Sequence, residues 1–389
     1  MVISVSAKWW KATFWGILLL GITGCGTFTG SSSSSSSGLV MAMPKQYPAI
    51  TGFSFSAVSP ELEGAVSALQ LNNQNQLAAV ISWTNVPHSA SFLLWQPGAN
   101  YPPILPYFHV SATALSPSSQ IIVGGESHGQ NVITMGQHRF TWSASMTRAP
   151  RWITASSTQA IYAVAPGTQG GWAIIKISSQ KLVSESLLPL KAGQRVVAMA
   201  AAQNGGVWIA TSHPNQIVLW RQGRFQQAYN LPGRVMMLVS PQNSASLQSE
   251  NPIIALVASP SALPGTADSV VDITSCHLRV DKLAMAWLVG RQQVPFIAGA
   301  SGADWISPHH LLLTLWDSGL NQVAIARLNL DTGDATILPH SIFHPNLLNA
   351  QAPFFPITAS PSKNLIVVGQ GYGLAFYITS SAAWTQFMK

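Results

Sequence analysis

MAAAQNGGVWIATS, Met199–Ser212, decides how this chain is read. A run of small apolar residues, a polar turn and a second run apolar at nearly every position follow one another. The same order returns in WITASSTQAIYAVAPG at Trp152–Gly167, ALSPSSQIIVGGES at Ala114–Ser127 and ITASPSKNLIVVGQG at Ile357–Gly371. Short apolar runs bounded by Gly, Pro, Ser, Asn and Gln mark strands, and no long helical periodicity interrupts them. A second strand such as VWIAT is apolar on both faces, so both must be covered by other parts of the chain.

Working outward, equivalent turns fall near Asn72, Ser116, Ser156, Gln203, Gln242, Ser307 and Ser360, at intervals of 44, 40, 47, 39, 65 and 53 residues. Four-stranded propeller blades repeat at about 40 to 50 residues. Third strands follow the pairs in SFLLW at Ser91, NVITM at Asn131, WAIIKI at Trp172, QIVLW at Gln216, QVAIARL at Gln322 and GLAFYI at Gly373. In the fifth unit either VVDITSC at Val270 or MAWLV at Met285 fills that place. The reading is an all-β fold, a β-propeller of seven four-stranded blades spanning 47–389, in which a strand from Tyr47–Val58 closes the ring and protects its edges. Two smaller β-domains divided near Gln242–Asn251 are the competing architecture. The hairpin NLDTGDATIL, Asn329–Leu338, places Asp-Thr-Gly between two strands, with glycine suited to a positive-φ turn. Such hairpins resemble those of the broad superfamily of YVTN and WD40 propellers, over about Gly64–Lys389. The WD40 signature is absent, since Trp316-Asp317 ends a second strand and no Gly-His precedes it. The resemblance therefore implies architecture and no particular activity.

The front of the chain says where it works. Lys8 and Lys11 precede an apolar stretch, Ala12–Thr23, and Thr23-Gly24 lead into Cys25, the order of an export signal. Twelve residues are too few to span a bilayer as a helix, which takes about 20. Ile22-Thr23-Gly24-Cys25 resembles the bacterial lipobox. That resemblance implies a signal peptide over 1–24, diacylglycerol on the Cys25 sulfur, and two or three acyl chains, enough for stable attachment. Residues 25–46, with seven consecutive serines at 31–37, then form a flexible tether. A Gly/Ser coil of twenty residues reaches about 25 Å. The expected location is the cell envelope, extracytoplasmic and held to the membrane by the N-terminal lipid.

Composition excludes some functions. With Cys25 lipidated, Cys276 has no partner for an internal disulfide. Charged residues make up 8% of the chain, against about 25% in typical domains. After the leader there are 17 Lys and Arg and 12 carboxylates, net +5, and the basic residues are scattered through the sequence without a run. A nucleic-acid partner calls for a basic stripe and is not expected. Sparse carboxylates fit an acidic exterior, because few ion pairs are lost as Asp and Glu protonate; compositional drift explains them too.

Motif by motif, little chemistry emerges. Gly125-Glu126-Ser127-His128-Gly129 fits G-x-S-x-G, yet strand, turn and strand follow where a nucleophile elbow needs a helix. Gly369-x-Gly371-x-Gly373 lacks the helix of a dinucleotide loop. Asp304, His309 and His310 do not converge by spacing alone, and Cys276-His277 lies in an apolar β run. No catalytic residue, metal or cofactor is assigned. Propeller topology does gather one surface: the loops between second and third strands emerge on one face and bring together His88, Glu126, His128, His213, Asp317 and Tyr372, a candidate face for an envelope protein or ligand. Polar residues in solvated loops are also the default for such positions. The expected role is a binding or scaffold module. The alternatives are a propeller hydrolase or lyase working in the central funnel, and an envelope sensor or assembly factor.

Overall fold

A computed structural model describes residues 39–40, 54–58, 65–71, 77–82, 90–95, 105–107, 110–116, 120–135, 138–142, 147–156, 160–178, 181–203, 205–241, 252–262, 265–274, 277–289, 292–296, 299–317, 321–332, 335–338, 341, 355–360, 364–369, 374–378 and 380–388. The chain divides into Met1–Ser37 and Gly38–Lys389, and the second unit contains every described residue. The signal segment, Cys25 and Cys276 lie outside the described residues, as does most of the 25–46 stretch, of which Leu39–Val40 pairs with Leu283–Ala284.

Strand alternation accounts for the doubly apolar second strands. In Val207–Ser212, Val207 and Ile209 enter a cluster with Tyr162, Val164 and Ile174 of the preceding sheet. Trp208 and Ala210 point the other way and pack with Val235, Ile253 and Ala255 of the following one. Leu311, Leu313 and Leu315 likewise face back while Leu312 faces forward, and Leu365 and Val367 part from Ile366 and Val368. These second strands are thus buried between two neighbouring sheets, and the core is a series of apolar layers between blades rather than one central mass.

Among the described residues seven sheets follow one another, six of four strands and one of six. Their first strands are Ala65–Leu71, Val110–Leu115, Trp152–Ala155, Arg195–Ala201, Arg234–Val239, Gly299–Ser307 and Ile357–Ser360. From the second blade to the seventh each first strand packs on that of the next, and the seventh packs on the first. These innermost strands are rich in Ala, Ser, Thr and Gly because blades converge there. A Cβ at Gly302 would run into the carbonyl of Phe355 from the next blade. In five first strands the pairing with the second strand skips a residue near the start, Ser67, Ser111, Val197, Met236 or Ser301. Such a bulge adds local twist and kinks the strand.

The seventh sheet is completed by Ser54–Val58, antiparallel to Leu374–Ile378, so the expected closing strand lies within the Tyr47–Val58 window. The ambiguity of the fifth blade is also resolved. Its third strand is Ser269–Thr274, and the MAWLV segment belongs to the fourth, His277–Val289, whose latter part pairs with Gln292–Phe296. Outside the blades, Ser381–Met388 forms a helix that the sequence reading did not contain. It lays Trp384 into the layer between the sixth and seventh blades and is tied by Asn364 Nδ2 donating to Ser381 Oγ at 3.0 Å.

The repeated turn of the opening motif has a shared backbone pattern. Ser116, Ser156 and Ala202 donate their N–H groups to the carbonyls of Gln120, Ala160 and Gly206, at 2.9, 2.9 and 3.2 Å. All these turns lie on one face, opposite the loops between second and third strands. In the Asn329–Leu338 hairpin, Asn329 Oδ1 accepts from the N–H groups of Asp331 and Thr332, at 2.9 and 3.2 Å, an Asx turn.

Candidate anion-binding face

Because strands alternate in direction, the connections between blades emerge on the same face as the second-to-third-strand loops. That face carries Glu126 and His128. Glu126 is exposed near the end of Ile121–Ser127, and His128-Gly129 form a two-residue turn with φ of 51° and 73° before Gln130–Met135. Positive φ at both central residues is the I′ geometry of tight hairpins. The GESHG stretch is therefore strand and turn followed by strand. Ser127 Oγ lies 3.0 Å from His128 Nδ1. His213 is exposed with φ 58° in the short loop after Val207–Ser212. Asp317 departs from the expected loop position: it ends the strand His310–Asp317, across from Gln322, and is buried. His88 and Tyr372 lie outside the described residues.

Next to these positions is a cleft of about 400 Å³. One wall is the connection from the second blade to the third. There the buried Thr147 takes a bond from Asn131 Nδ2 to its carbonyl at 2.7 Å and from Trp142 Nε1 to its hydroxyl at 2.8 Å. Arg148 and Arg151 follow, their N–H groups donating to Pro166 and Val164 carbonyls at 2.8 and 2.9 Å, so the backbone is pinned while both side chains are exposed. The floor is the loop Pro166–Trp172. Gly167 donates to Gly171 O at 3.1 Å, Gly170 donates to Gly167 O at 3.3 Å, and a Cβ at Gly167 would sit 2.5 Å from Gly170 O. Only glycine fits that position. From the fourth blade a tight turn, in which Lys191 N–H donates to Gln194 Oε1 at 2.7 Å, delivers Arg195, which is exposed and lies opposite Ser212, the residue before His213.

Arg148, Arg151 and Arg195 all line this cleft, and among the described residues no carboxylate does. Among the described residues their guanidinium groups make no hydrogen bond or ion pair. The sequence reading passed over them because two stand in an inter-blade connection, the third opens a first strand, and they are 3 and 44 residues apart. The signal that finds them is topological, since connections and second-to-third loops share a face.

The possible metal ligands are drawn apart. Asp304 accepts from Ala359 N–H at 2.8 Å and Thr358 Oγ1 at 3.1 Å, His309 Nδ1 lies 2.7 Å from Asp331, and His310 Nδ1 lies 3.0 Å from Ser307 Oγ. Burial, followed by the Arg327 charge, holds His310 below the usual imidazole range. Burial also pushes Asp304 up to about 6.

Scans against protein-family models and against the curated proteins find no match. Among solved structures the chain is similar to "YCF48 bound to D1 peptide", at 12% identity and a TM-score of 0.50, covering 83% of this chain and 95% of that one. It is also similar to "Crystal structure of BBS1N in complex with ARL6DN, soaked with mercury", at 10% identity and a TM-score of 0.50, covering 85% of this chain and 98% of that one. At such identities the likeness carries the fold alone, and that fold is a β-propeller.

Proposed function

We propose that this protein is an exported, lipid-anchored β-propeller that works as a binding or scaffold module at the cell envelope and meets a protein partner on the face of the second-to-third-strand loops. The observation that carries the reading is the cleft on that face, lined by three arginines without partners among the described residues. Exposed Glu126, His128 and His213 on the same face support it. The same fold presents protein surfaces elsewhere, for YCF48 has been solved with a D1 peptide and BBS1N in complex with ARL6DN. Anchoring rests on the Ile22-Thr23-Gly24-Cys25 order and the serine run behind it.

One experiment with two arms tests this. In cells fed labelled palmitate, Cys25→Ala is expected to accumulate as an unlabelled precursor; normal labelling of the variant would reject the anchor. In the second arm a photo-crosslinking residue at position 128 or 213 is expected to yield a discrete protein adduct. The same residue at Gln222, exposed on the opposite face, is expected to yield none. Adducts from position 222 alone would move the partner to the other face, and none from any position would remove the binding reading.

A further inference from the structure

The cleft narrows the class of ligand, on the reading that this face is a binding surface. Its volume falls within the about 300 to 1,000 Å³ usual for ligand sites. Among the described residues its charges are fixed cations. Arg148 and Arg151 are held to the third blade by their backbone bonds to Pro166 and Val164, whereas Arg195 opens the first strand of the fourth, so the positive charge is drawn from two blades instead of one turn. A compact phosphate site gathers several backbone N–H groups around one anion. In this loop the Gly167 and Gly170 N–H groups are already spent on Gly171 and Gly167 carbonyls. The guanidinium fork, by contrast, matches a carboxylate through two parallel bonds. Pro166 and Trp172 add apolar lining suited to the methylenes of acidic side chains, and Gly170, Gly171 and Gly193 leave the backbone uncovered, with open space where a Cβ would be.

We infer that the cleft is a carboxylate-binding site for an extended acidic peptide segment, laid across the Pro166–Trp172 loop so that its carboxylates engage Arg148 and Arg151 at one end and Arg195 at the other. An extended chain with several carboxylates can meet arginines that come from two blades, which a single compact anion has no need to do. Because a guanidinium keeps its charge and a glutamate side chain loses its own near pH 4.3, binding depends on the ligand's ionisation.

The test uses the full chain solubilised in a neutral detergent and fluorescein-labelled hexaglutamate, followed by fluorescence polarisation. The expected result is saturable binding that falls at least tenfold in Arg148→Gln/Arg195→Gln. The pair Arg221→Gln/Arg224→Gln removes the same charge at the opposite end of the fourth blade and is expected to bind within twofold of the parent. Affinity should fall steeply between pH 6 and pH 3. Equal losses in both pairs would reduce the effect to net charge and overturn the site. Displacement by tripolyphosphate at lower concentration than by unlabelled hexaglutamate, or binding that survives at pH 3, would overturn the carboxylate assignment. If hexaglutamate fails to bind while the adduct from position 128 persists, the cleft assignment falls and the binding-module reading stands. Binding without any adduct separates the two the other way.

Discussion

The Thr358 hydroxyl accepts the Leu71 N–H at 3.1 Å and donates to Asp304 at 3.1 Å, so a single oxygen joins the sixth, seventh and first blades at the ring's closing junction. Its neighbourhood is buried, and the Leu71 N–H has no water to turn to if that oxygen is removed. Thr358→Val keeps the shape and deletes both bonds. It is expected to lower the unfolding free energy by about 1 to 3 kcal/mol, the range for a buried donor left unsatisfied. Urea titration monitored by tryptophan fluorescence checks this, and an unchanged midpoint would show that the junction relies on packing alone. Residues of this kind were illegible in the sequence. Thr358 reads there as one polar member of a strand, and Arg148, Arg151 and Arg195 read as scattered cations. Their roles depend on which blades meet, which is set by contacts between distant segments.

Elements were more legible, for a physical reason. Second strands announce themselves because both faces are buried, which makes Val207–Ser212 and Leu365–Gly369 apolar almost throughout. Fourth strands at the rim are weaker signals: Arg224–Asn230 alternates between exposed and half-buried residues, and the 13-residue His277–Val289 hid the boundary of the fifth blade. The helix Ser381–Met388 is eight residues long, too short for its periodicity to stand out, although Trp384 anchors it. Ser54–Val58 follows from the need to close the ring, and it is the element most open to test. Replacing those five residues with a Gly-Ser linker of equal length uncovers the edge of Leu374–Ile378. An unpaired edge invites pairing with another chain. The variant is expected to elute from size exclusion as dimers and larger species and to unfold at a lower temperature. A monomeric profile with the parent's transition would show that the strand is dispensable.

For the whole molecule the sparse supply of carboxylates becomes a statement about acid. Asp304 has its pKa raised from 3.8 to about 6, with burial the largest cause. The folded state then holds this proton more tightly than the unfolded state does. Its contribution is complete below about pH 4 and is lost as pH rises through 6. A tenfold change in proton affinity is worth about 1.4 kcal/mol, so with allowance for partial exposure acidification from pH 7 to pH 4 gains on the order of 2 kcal/mol here. Unfolding free energies measured at pH 7, 5 and 3 are therefore expected to stay level or rise toward acid. Asp304→Asn should flatten whatever rise occurs between pH 7 and pH 4. A steep fall across that interval in the parent would contradict adaptation to an acidic exterior.

The seventh blade draws its outer strand from Ser54–Val58 and its other three from Ile357–Ile378. On a ribosome adding about 5 to 20 residues each second, the opening strand waits roughly 15 to 60 s for its partner to be made. Six blades have been synthesised by then, yet the circle is still a horseshoe. The schedule of synthesis leaves one bare strand at the start and one bare flank at the end until the final few dozen residues arrive. Whatever shields the nascent chain during that interval has to act on Ser54–Val58 first and let go of it last.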